Sequence, residues 1–274
     1  VKLHAKYGGV YPSLAKREHQ RNLAPVFKKA LKEARLLNSK SKNPRTSPAS
    51  FRRGGAVRGG QKLKIDAIAV TVGPGLEPCL WQGVNFAKKL AEKLNVPIIP
   101  INHIEAHIFA NFVDKTQNSK YPLYPLFAHS TYSTHSKTQI FPAICLVVSG
   151  GHTQLILMKG FGKYQILGET RDDAAGECFD KAARILGLGY PGGPIVAKMA
   201  TKFKNKKLKI KINLPRPMIS QKNYDFSFSG LKTAVLYDFR KRPKKIRKSK
   251  EYIREMCFEI QQAIIDVLIK KTMK

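Results

Sequence analysis

A strand, a helix and a second strand follow one another closely in the first half of the chain. Lys64–Val72 is apolar and β-branched, as expected of a buried strand, and Gly73–Gly75 marks a turn. A helix from Leu80 to Leu94 then leads into a second strand, Val96–Ile101. Because a strand that returns through a helix runs parallel to the first, this pattern predicts a parallel pair and an α/β fold. Four residues of the helix are predicted to face inward: Leu80, Val84, Ala87 and Leu94.

The composition is that of a folded but strongly basic protein. The 274 residues are 43% hydrophobic, enough for one large or two modest domains, and the formal net charge is +32 at pH 7. The longest apolar run, near Ala143–Val148, is too short to cross a bilayer, so no membrane segment is expected. Scattered cysteines without metal-binding spacing favour a reducing cytoplasm. They are Cys79, Cys145, Cys178 and Cys257.

An apolar strand over Pro142–Val148 stops abruptly at a turn that contains two adjacent glycines. The main-chain amides of Ser149, Gly150 and Gly151 can approach an anion such as a phosphate, because the glycines carry no side chain that would block it. The alternative is a hairpin turn in which the glycines serve geometry alone.

A helix is predicted after this turn, with acidic residues at its start and Gly187 at its end. Asp180 lies off its apolar face and is predicted to be free to bind a ligand, the alternative being an ordinary solvated carboxylate. The residues predicted to be buried follow helical spacing. They are Ala175, Phe179, Ala182, Ala183 and Leu186.

Two histidines lie four residues apart in a second predicted helix. Asn102 is its predicted N-cap, and Glu105 completes a capping box. His103 and His107 are about 40° apart around the helix, so both can bind one metal ion. Glu105 points about 200° away from His103, which argues against a zinc peptidase. Since catalytic metal sites usually use three protein ligands, either a third ligand lies elsewhere or the histidines are an ordinary surface pair.

A basic cluster between two predicted helices, Arg240–Lys250, carries eight basic residues in eleven. Such a cluster can hold a nucleic-acid backbone, and a solvated lysine run is the alternative. The residues predicted to bind are Arg240, Lys241, Arg242, Lys244, Lys245, Arg247 and Lys248.

Four other residues have two possible roles each. Ser229 precedes a predicted helix and is interpreted as its N-cap, with a ligand-facing role as the alternative. Trp81, Phe226 and Phe228 are predicted to pack in cores, although aromatic side chains also stack on bases.

Six motifs occur in a fixed order along the chain: Asn102–His107, Val148–Gln154, Asp172–Lys181, Tyr190–Gly193, Pro215–Pro217 and Asp225–Lys232. Together they resemble the tRNA N6-adenosine threonylcarbamoyltransferase family. The resemblance implies a two-lobed α/β architecture of the actin-like ATPase and sugar-kinase type, incomplete at both termini. The first lobe would be residues 1–141, with a basic linker at 39–62 and an insertion at 115–141. The second lobe would be residues 142–274.

The resemblance also implies an activity. The family transfers a threonylcarbamoyl group from threonylcarbamoyl-AMP to N6 of the adenosine that follows the anticodon, in tRNAs that read codons beginning with A. His103 and His107 match its metal ligands, for one divalent ion that we expect to be Fe2+ rather than Zn2+. No catalytic side chain is assigned beyond the metal and substrate ligands. The positions that match the family's adenylate-binding residues are Val147, Val148, Ser149, Gly150, Gly151, Asp180 and Gly193.

The expected partners are tRNA, a related subunit of the same fold and a small ATPase, all in the cytoplasm. The family's N-terminal phosphate loop, a C-terminal adenosine contact and an aspartate metal ligand are not matched in this sequence. The chain is therefore expected to be truncated and inactive in transfer by itself. A catalytically inactive RNA-binding or scaffolding fragment, an ATP-dependent phosphotransferase of the same fold and a metallopeptidase are the alternatives.

Overall fold

The computed structural model describes residues 2–34, 65–111, 141–202, 210 and 212–274. Helices and strands are mixed along these ranges, which confirms the α/β character predicted from the sequence. In chain order they are α1 (Lys2–Ala5), α2 (Pro12–Glu33), β1 (Ile68–Gly73), α3 (Glu77–Leu94), β2 (Ile98–Asn102), α4 (His103–Phe109), β3 (Ala143–Val148), β4 (Thr153–Gly160), β5 (Lys163–Glu169), α5 (Ala175–Ile185), α6 (Gly192–Thr201), α7 (Ser229–Lys241), α8 (Lys244–Arg247) and α9 (Lys250–Thr272).

The chain forms two compact units. The first unit is Tyr11–Val113, and the second unit consists of Val1–Val10 with Asp114–Lys274. The predicted basic linker 39–62 lies outside the described residues, as does all of the predicted insertion 115–141 except its last residue. The predicted lobe division at residue 141 stays a prediction.

The first unit contains the predicted strand, helix and strand. β1 and β2 are parallel, with Ile68 opposite Ile98 and Thr71 opposite Ile101, and α3 connects them. Leu90 and Leu94 of α3 form a buried cluster with Leu31 of α2. Ala87 and Ala91 of α3 are also buried, whereas the predicted inward residues Leu80 and Val84 are half-buried.

The second unit contains an antiparallel sheet in the order β3-β4-β5. Helices α5, α6, α7 and α9 bury their apolar faces in one core, which accounts for most of the burial that stabilises the unit. Each of these helices contributes fully buried side chains, for example Ala182, Val196, Leu231 and Ile260. Among the helices of the described ranges, none combines the length and apolar character needed to cross a membrane.

The end of α5 agrees with the sequence. Gly187 adopts a φ of 72°, a left-handed conformation that glycine takes at little cost. The amide of Leu188 then donates to the carbonyl of Ala183 at 2.9 Å, which closes the helix. The apolar face predicted for this helix is buried except for Phe179, which is half-buried.

The three aromatic residues predicted to pack in cores differ in outcome. Phe226 and Phe228 are fully buried, with stacked rings 6.4 Å apart, so the prediction is confirmed for them. Trp81 is 51% exposed, and there the prediction was wrong. Trp81 and the buried Leu90 lie on nearly opposite sides of α3, because a separation of nine residues corresponds to about 180°.

Two of the four cysteines lie in the core of the second unit. Cys178 and Cys257 are buried, and burial raises the pKa of each thiol to about 12. A thiol with so high a pKa carries almost no thiolate at neutral pH. Both side chains are therefore inert parts of the core rather than nucleophiles.

Candidate functional site

The two histidines of α4 lie close together, one helical turn apart. Their Nε2 atoms are 3.3 Å apart. Two nitrogens bound tetrahedrally to one metal at about 2.0–2.1 Å would be separated by about 3.3–3.4 Å, so the pair fits such an ion. The buried Ile104 and Ile108 fix the helix to its unit, and His103 and His107 remain partly exposed.

The local sequence explains this arrangement. The side chain of Asn102 accepts hydrogen bonds from the amides of Ile104 at 2.9 Å and Glu105 at 3.1 Å, which confirms the predicted N-cap. The cap fixes where α4 begins and therefore places His103 at its first position. Within the described ranges, no group of three or more histidine, cysteine, aspartate or glutamate side chains is arranged to hold a metal. The histidine pair therefore provides two ligands of a candidate site.

The predicted phosphate turn is a hairpin turn between β3 and β4. Val148 lies opposite Thr153, and the amide of Ser149 donates to the carbonyl of His152 at 2.8 Å. The hydroxyl of Ser149 accepts from the amides of His152 at 2.9 Å and, more weakly, Gly151 at 3.3 Å. In this conformation, two of the three amides expected to approach an anion, those of Ser149 and Gly151, already donate hydrogen bonds within the turn. Gly150, in contrast, is exposed.

The turn packs directly against the start of α5. The amide of Gly176 donates to the carbonyl of Ser149 at 3.1 Å, and the amide of Ala175 donates to the hydroxyl of Thr153 at 2.9 Å. A Cβ on Gly176 would lie 2.6 Å from the Ser149 oxygen and 2.8 Å from the Cα of Gly150. Only glycine permits this approach, so residue 176 controls the position of the turn.

Asp180 and Gly193 are brought close together. One carboxylate oxygen of Asp180 accepts from the amide of Gly192 at 2.7 Å, at the first residue of α6. The prediction that Asp180 is free to bind a ligand was therefore wrong for this oxygen, because a helix start has unpaired amides that attract a carboxylate. A Cβ on Gly193 would have Phe179 as its nearest neighbour, at 3.9 Å.

The remaining predicted adenylate residues lie at the end of β3. Val147 is half-buried and Val148 is 44% exposed, and both lead directly into the turn at Ser149. The structure therefore gathers the predicted substrate residues around α5, with the turn at its start and Asp180 and Gly193 further along. The binding roles themselves stay predictions.

Sequence reasoning missed the role of Asp172. Its carboxylate accepts hydrogen bonds from the hydroxyls of Ser227 and Ser229, each at 2.6 Å, and from the amides of Phe228 at 2.8 Å and Ser229 at 3.1 Å. Ser229 is the first residue of α7 and is not its N-cap, which corrects the interpretation above. Asp172 supplies the capping carboxylate from 57 residues before Ser229 in the chain. Two adjacent acidic residues before a predicted helix are the only sequence signal for it.

Asp173 extends this connection into the unit. Its side chain is only 11% exposed and pairs with Lys181 at 2.5 Å and Lys232 at 3.0 Å. Burial alone would raise the pKa of Asp173, but hydrogen bonds and attraction from the two lysines hold it below the usual value. Asp172 and Asp173 thus join α5 to the start of α7.

Changing Asp172 to Asn should destabilise the protein in a pH-dependent manner. Burial alone would raise the pKa of Asp172, but its four hydrogen bonds hold that pKa below its usual value. A lowered pKa stabilises the fold above the pKa of the unfolded chain, and this contribution disappears as the pH falls through the folded value. We expect the free energy of unfolding at pH 7 to fall by about 1 kcal/mol. The effect is small for hydrogen bonds to a charged group because the Asp172 side chain is solvent-accessible.

Urea unfolding at pH 7 and near pH 3 measures this effect. The difference between wild type and Asp172→Asn should shrink at the lower pH, and Ser229→Ala should show a smaller change of the same kind. An equal difference at both pH values would contradict the assignment of the effect to the carboxylate charge.

The arginine of the Pro215–Pro217 motif is a structural residue. Arg216 pairs with Glu259 and, at 2.9 Å, with Asp266, both on α9. It also donates to the carbonyl of Leu214 at 2.7 Å. Arg216 therefore fixes this segment to the long helix, and the motif does not need a ligand to explain it.

The basic cluster is largely helical and comprises the end of α7, α8 and the start of α9. Two of its arginines contact the protein itself: Arg242 pairs with Asp238 at 3.0 Å, and Arg247 lies over the ring of Phe239 at 5.3 Å. Arg242 and Arg247 are half-buried, whereas the other five residues predicted to bind nucleic acid are exposed. They are Arg240, Lys241, Lys244, Lys245 and Lys248.

Comparison with known proteins is consistent along the whole chain. The family model described as tRNA N6-adenosine threonylcarbamoyltransferase matches residues 1–41, 59–129 and 126–274. A relative of that name from Syntrophomonas wolfei is 41% identical over 274 residues, covering 100% of this chain and 66% of the relative. One from Thermomicrobium roseum is 39% identical over 289 residues, covering 99% and 67%. One from Thermosipho africanus is 41% identical over 274 residues, covering 100% and 67%. The chain thus spans about two thirds of the length of these relatives.

Proposed function

The chain belongs to the tRNA N6-adenosine threonylcarbamoyltransferase family, and we propose that the full-length protein transfers a threonylcarbamoyl group to tRNA. The donor is threonylcarbamoyl-AMP, and the acceptor is N6 of the adenosine that follows the anticodon in tRNAs reading codons beginning with A. The adenosine amine attacks the carbamoyl carbon, the bond between that carbon and the phosphate oxygen breaks, AMP leaves, and N6 loses one proton. Because the tRNA base is the nucleophile, no nucleophilic side chain is needed.

The observation that carries this proposal is the 3.3 Å separation of the His103 and His107 Nε2 atoms. We assign one divalent ion to them, with Fe2+ preferred over Zn2+. When bound, such an ion supplies Lewis acidity that polarises a carbonyl oxygen. Each histidine would bind through the lone pair of Nε2, so each ring would carry its proton on Nδ1.

The residues around α5 have the chemistry to hold the adenylate. The exposed amide of Gly150 is a donor for a phosphate oxygen. Asp180 uses one carboxylate oxygen for Gly192, and its second oxygen can accept from a ribose hydroxyl. The small Gly193 leaves room beside that carboxylate. Binding of these groups would orient the carbamoyl carbon toward the incoming amine.

Family membership also supports the proposals for architecture and partners. We extend the mixed α/β fold to the two-lobed actin-like type and assign a cytoplasmic role. The partners would be tRNA, a related subunit of the same fold and a small ATPase.

The activity test is done on the full-length protein: it supplies threonylcarbamoyl-AMP, Fe2+, the partner proteins and unmodified tRNA, and it measures the modified nucleoside by mass spectrometry. Product that depends on both donor and tRNA supports the proposal. ATP turnover without tRNA and without product would instead indicate a phosphotransferase, and cleavage of casein a peptidase. Binding of tRNA without product would indicate a scaffolding role.

Neutralising exposed lysines of the basic cluster should weaken tRNA binding. Removing one lysine–phosphate interaction should reduce the slope of log affinity against log salt by about 0.7–0.9, because fewer counterions are released. We expect Lys244→Gln/Lys245→Gln/Lys248→Gln to lower the slope by up to about two to three units. Affinity measured by anisotropy over a range of salt concentrations tests this.

A control variant removes the same charge from exposed lysines of the first unit: Lys28, Lys88 and Lys89. Its slope should stay close to that of the wild type. Equal slopes in both variants would show that the cluster is an ordinary solvated surface.

A further inference from the structure

The outward face of α7 carries an exposed aromatic ring beside the basic cluster. Tyr237 is 64% exposed, whereas Leu231 and Val235 of the same helix are fully buried. Arg240 and Lys241 follow Tyr237 at three and four residues, so their side chains share its face. An exposed aromatic ring beside cations is the combination that single-stranded nucleic-acid surfaces use.

This face is held rigidly by contacts on the inner side of the helix. Asp238, next to Tyr237, accepts from Arg242 at 3.0 Å and from the hydroxyl of Tyr252 at 2.9 Å. The ring of Phe239 packs near that of Tyr252, with centroids 6.3 Å apart. Tyr252 lies on α9 and is fully buried. Tyr237 is therefore presented by a fixed backbone, which lowers the entropy cost of binding a partner.

The segment that carries the ring is almost entirely basic in its charged residues. Asp238 is the only acidic residue from Ser229 to Lys250, and its charge is compensated by Arg242. The exposed cations are free to attract an anionic chain. A membrane surface fits less well, because the other large exposed apolar residue from Ser229 to Lys250 is Ile246, at 39%, and the apolar stripe of α7 is already buried in the core.

We propose that Tyr237 stacks on an unpaired RNA base while Arg240, Lys241 and the neighbouring lysines bind the adjoining phosphates. This inference rests on the proposed function and makes it more specific, since it assigns the basic cluster to a single-stranded part of the RNA. Bases within a duplex are stacked on one another and cannot reach the ring, whereas loop bases can turn outward. The surface should therefore prefer a loop to a continuous duplex.

The experiment compares two RNA probes: a stem closed by an unpaired loop and a continuous duplex of the same stem. Tyr237→Ala should weaken binding of the stem-loop by about tenfold, within the range expected when one base–aromatic stack is removed, and leave duplex affinity and the salt slope unchanged. Tyr237→Phe keeps the ring and should restore loop binding. Ile246→Ala is the matched surface control and should bind both probes normally.

Two results with the RNA probes would overturn the inference. One is a loop preference that survives in Tyr237→Ala; the other is a wild type that binds both probes equally. Binding to vesicles of phosphatidylserine that requires Tyr237, without any effect on RNA, would also reassign the surface to a membrane. The transfer assay tests the stacking inference and the proposed function separately. If product forms equally well in Tyr237→Ala, only the stacking inference is overturned. If loop binding depends on Tyr237 but no product forms, only the proposed transferase activity is overturned.

Discussion

Full-length protein in which His103 and His107 are both changed to Ala is expected to bind no divalent metal ion at α4 and to lose threonylcarbamoyl transfer. The Nε2 atoms lie 3.3 Å apart, so each histidine completes the other's chelate, and a protein site with neither has too few ligands to retain the ion. Lewis acidity of a metal ion stabilises a transition state by several kcal/mol. Each 1.36 kcal/mol removed from the activation barrier raises the rate about tenfold. The rate should therefore fall by about a thousandfold or more.

Elemental analysis and the transfer assay test this together. Each single alanine variant should also lose metal, because one histidine cannot chelate. Glu105→Gln is the matched control, since its side chain points about 200° away from His103 around the helix, and it should retain the metal. Unchanged metal content in the double variant would place the metal elsewhere and remove the main support for the assignment.

The sequence predicts best the features that depend on neighbouring residues. The parallel β1–β2 pair, the Asn102 cap and the Gly187 helix end all follow from spacing within one or two elements. The histidine pair belongs to the same class, because four residues of helix fix the geometry by themselves. Local rules decide each of these outcomes, and the tertiary fold leaves them unchanged.

The sequence predicts poorly the features that depend on distant partners. Ser229 has the residue type and position of a cap, yet Asp172 supplies the capping carboxylate from 57 residues away. Asp180 was predicted to be free, and the start of α6 takes one of its oxygens. Trp81 was assigned to the core, although the helix turns it to solvent. Residue type indicates what a side chain can do, and only the fold determines which partner it meets.

The glycines around the turn show how both levels combine. The Ser149–His152 turn is recognisable from the sequence. The close packing of this turn against the start of α5 depends on Gly176, which lies in a different motif. The amide of Gly176 reaches the carbonyl of Ser149 at 3.1 Å. Any side chain at residue 176 would displace the turn. The position of the Gly150 amide, which we propose binds the adenylate, therefore depends on a residue that need not touch the ligand.

Gly176→Ala is accordingly expected to impair adenylate binding and to destabilise the protein. The new Cβ would lie 2.6 Å from the Ser149 oxygen and 2.9 Å from the nitrogen of Gly150, and both atoms are backbone, so neither can move aside as a flexible side chain would. Overpacking of this kind costs about 1–3 kcal/mol, against at most about 1 kcal/mol gained from alanine in a helix. We expect a net loss of about 1–2 kcal/mol and at least about tenfold weaker binding, since a turn amide displaced from its acceptor loses a hydrogen bond to a charged group.

Gly83→Ala on α3 separates this contact from general effects of alanine in a helix. Its Cβ would have nothing nearer than Val70, at 3.8 Å, so this variant should be as stable as the wild type or more so, with unchanged affinity. Urea unfolding gives the stability, and calorimetry with a non-hydrolysable analogue of threonylcarbamoyl-AMP gives the affinity. If Gly176→Ala binds the analogue as tightly as Gly83→Ala does, the position of the turn does not govern adenylate binding, and the phosphate contact must be sought on other residues.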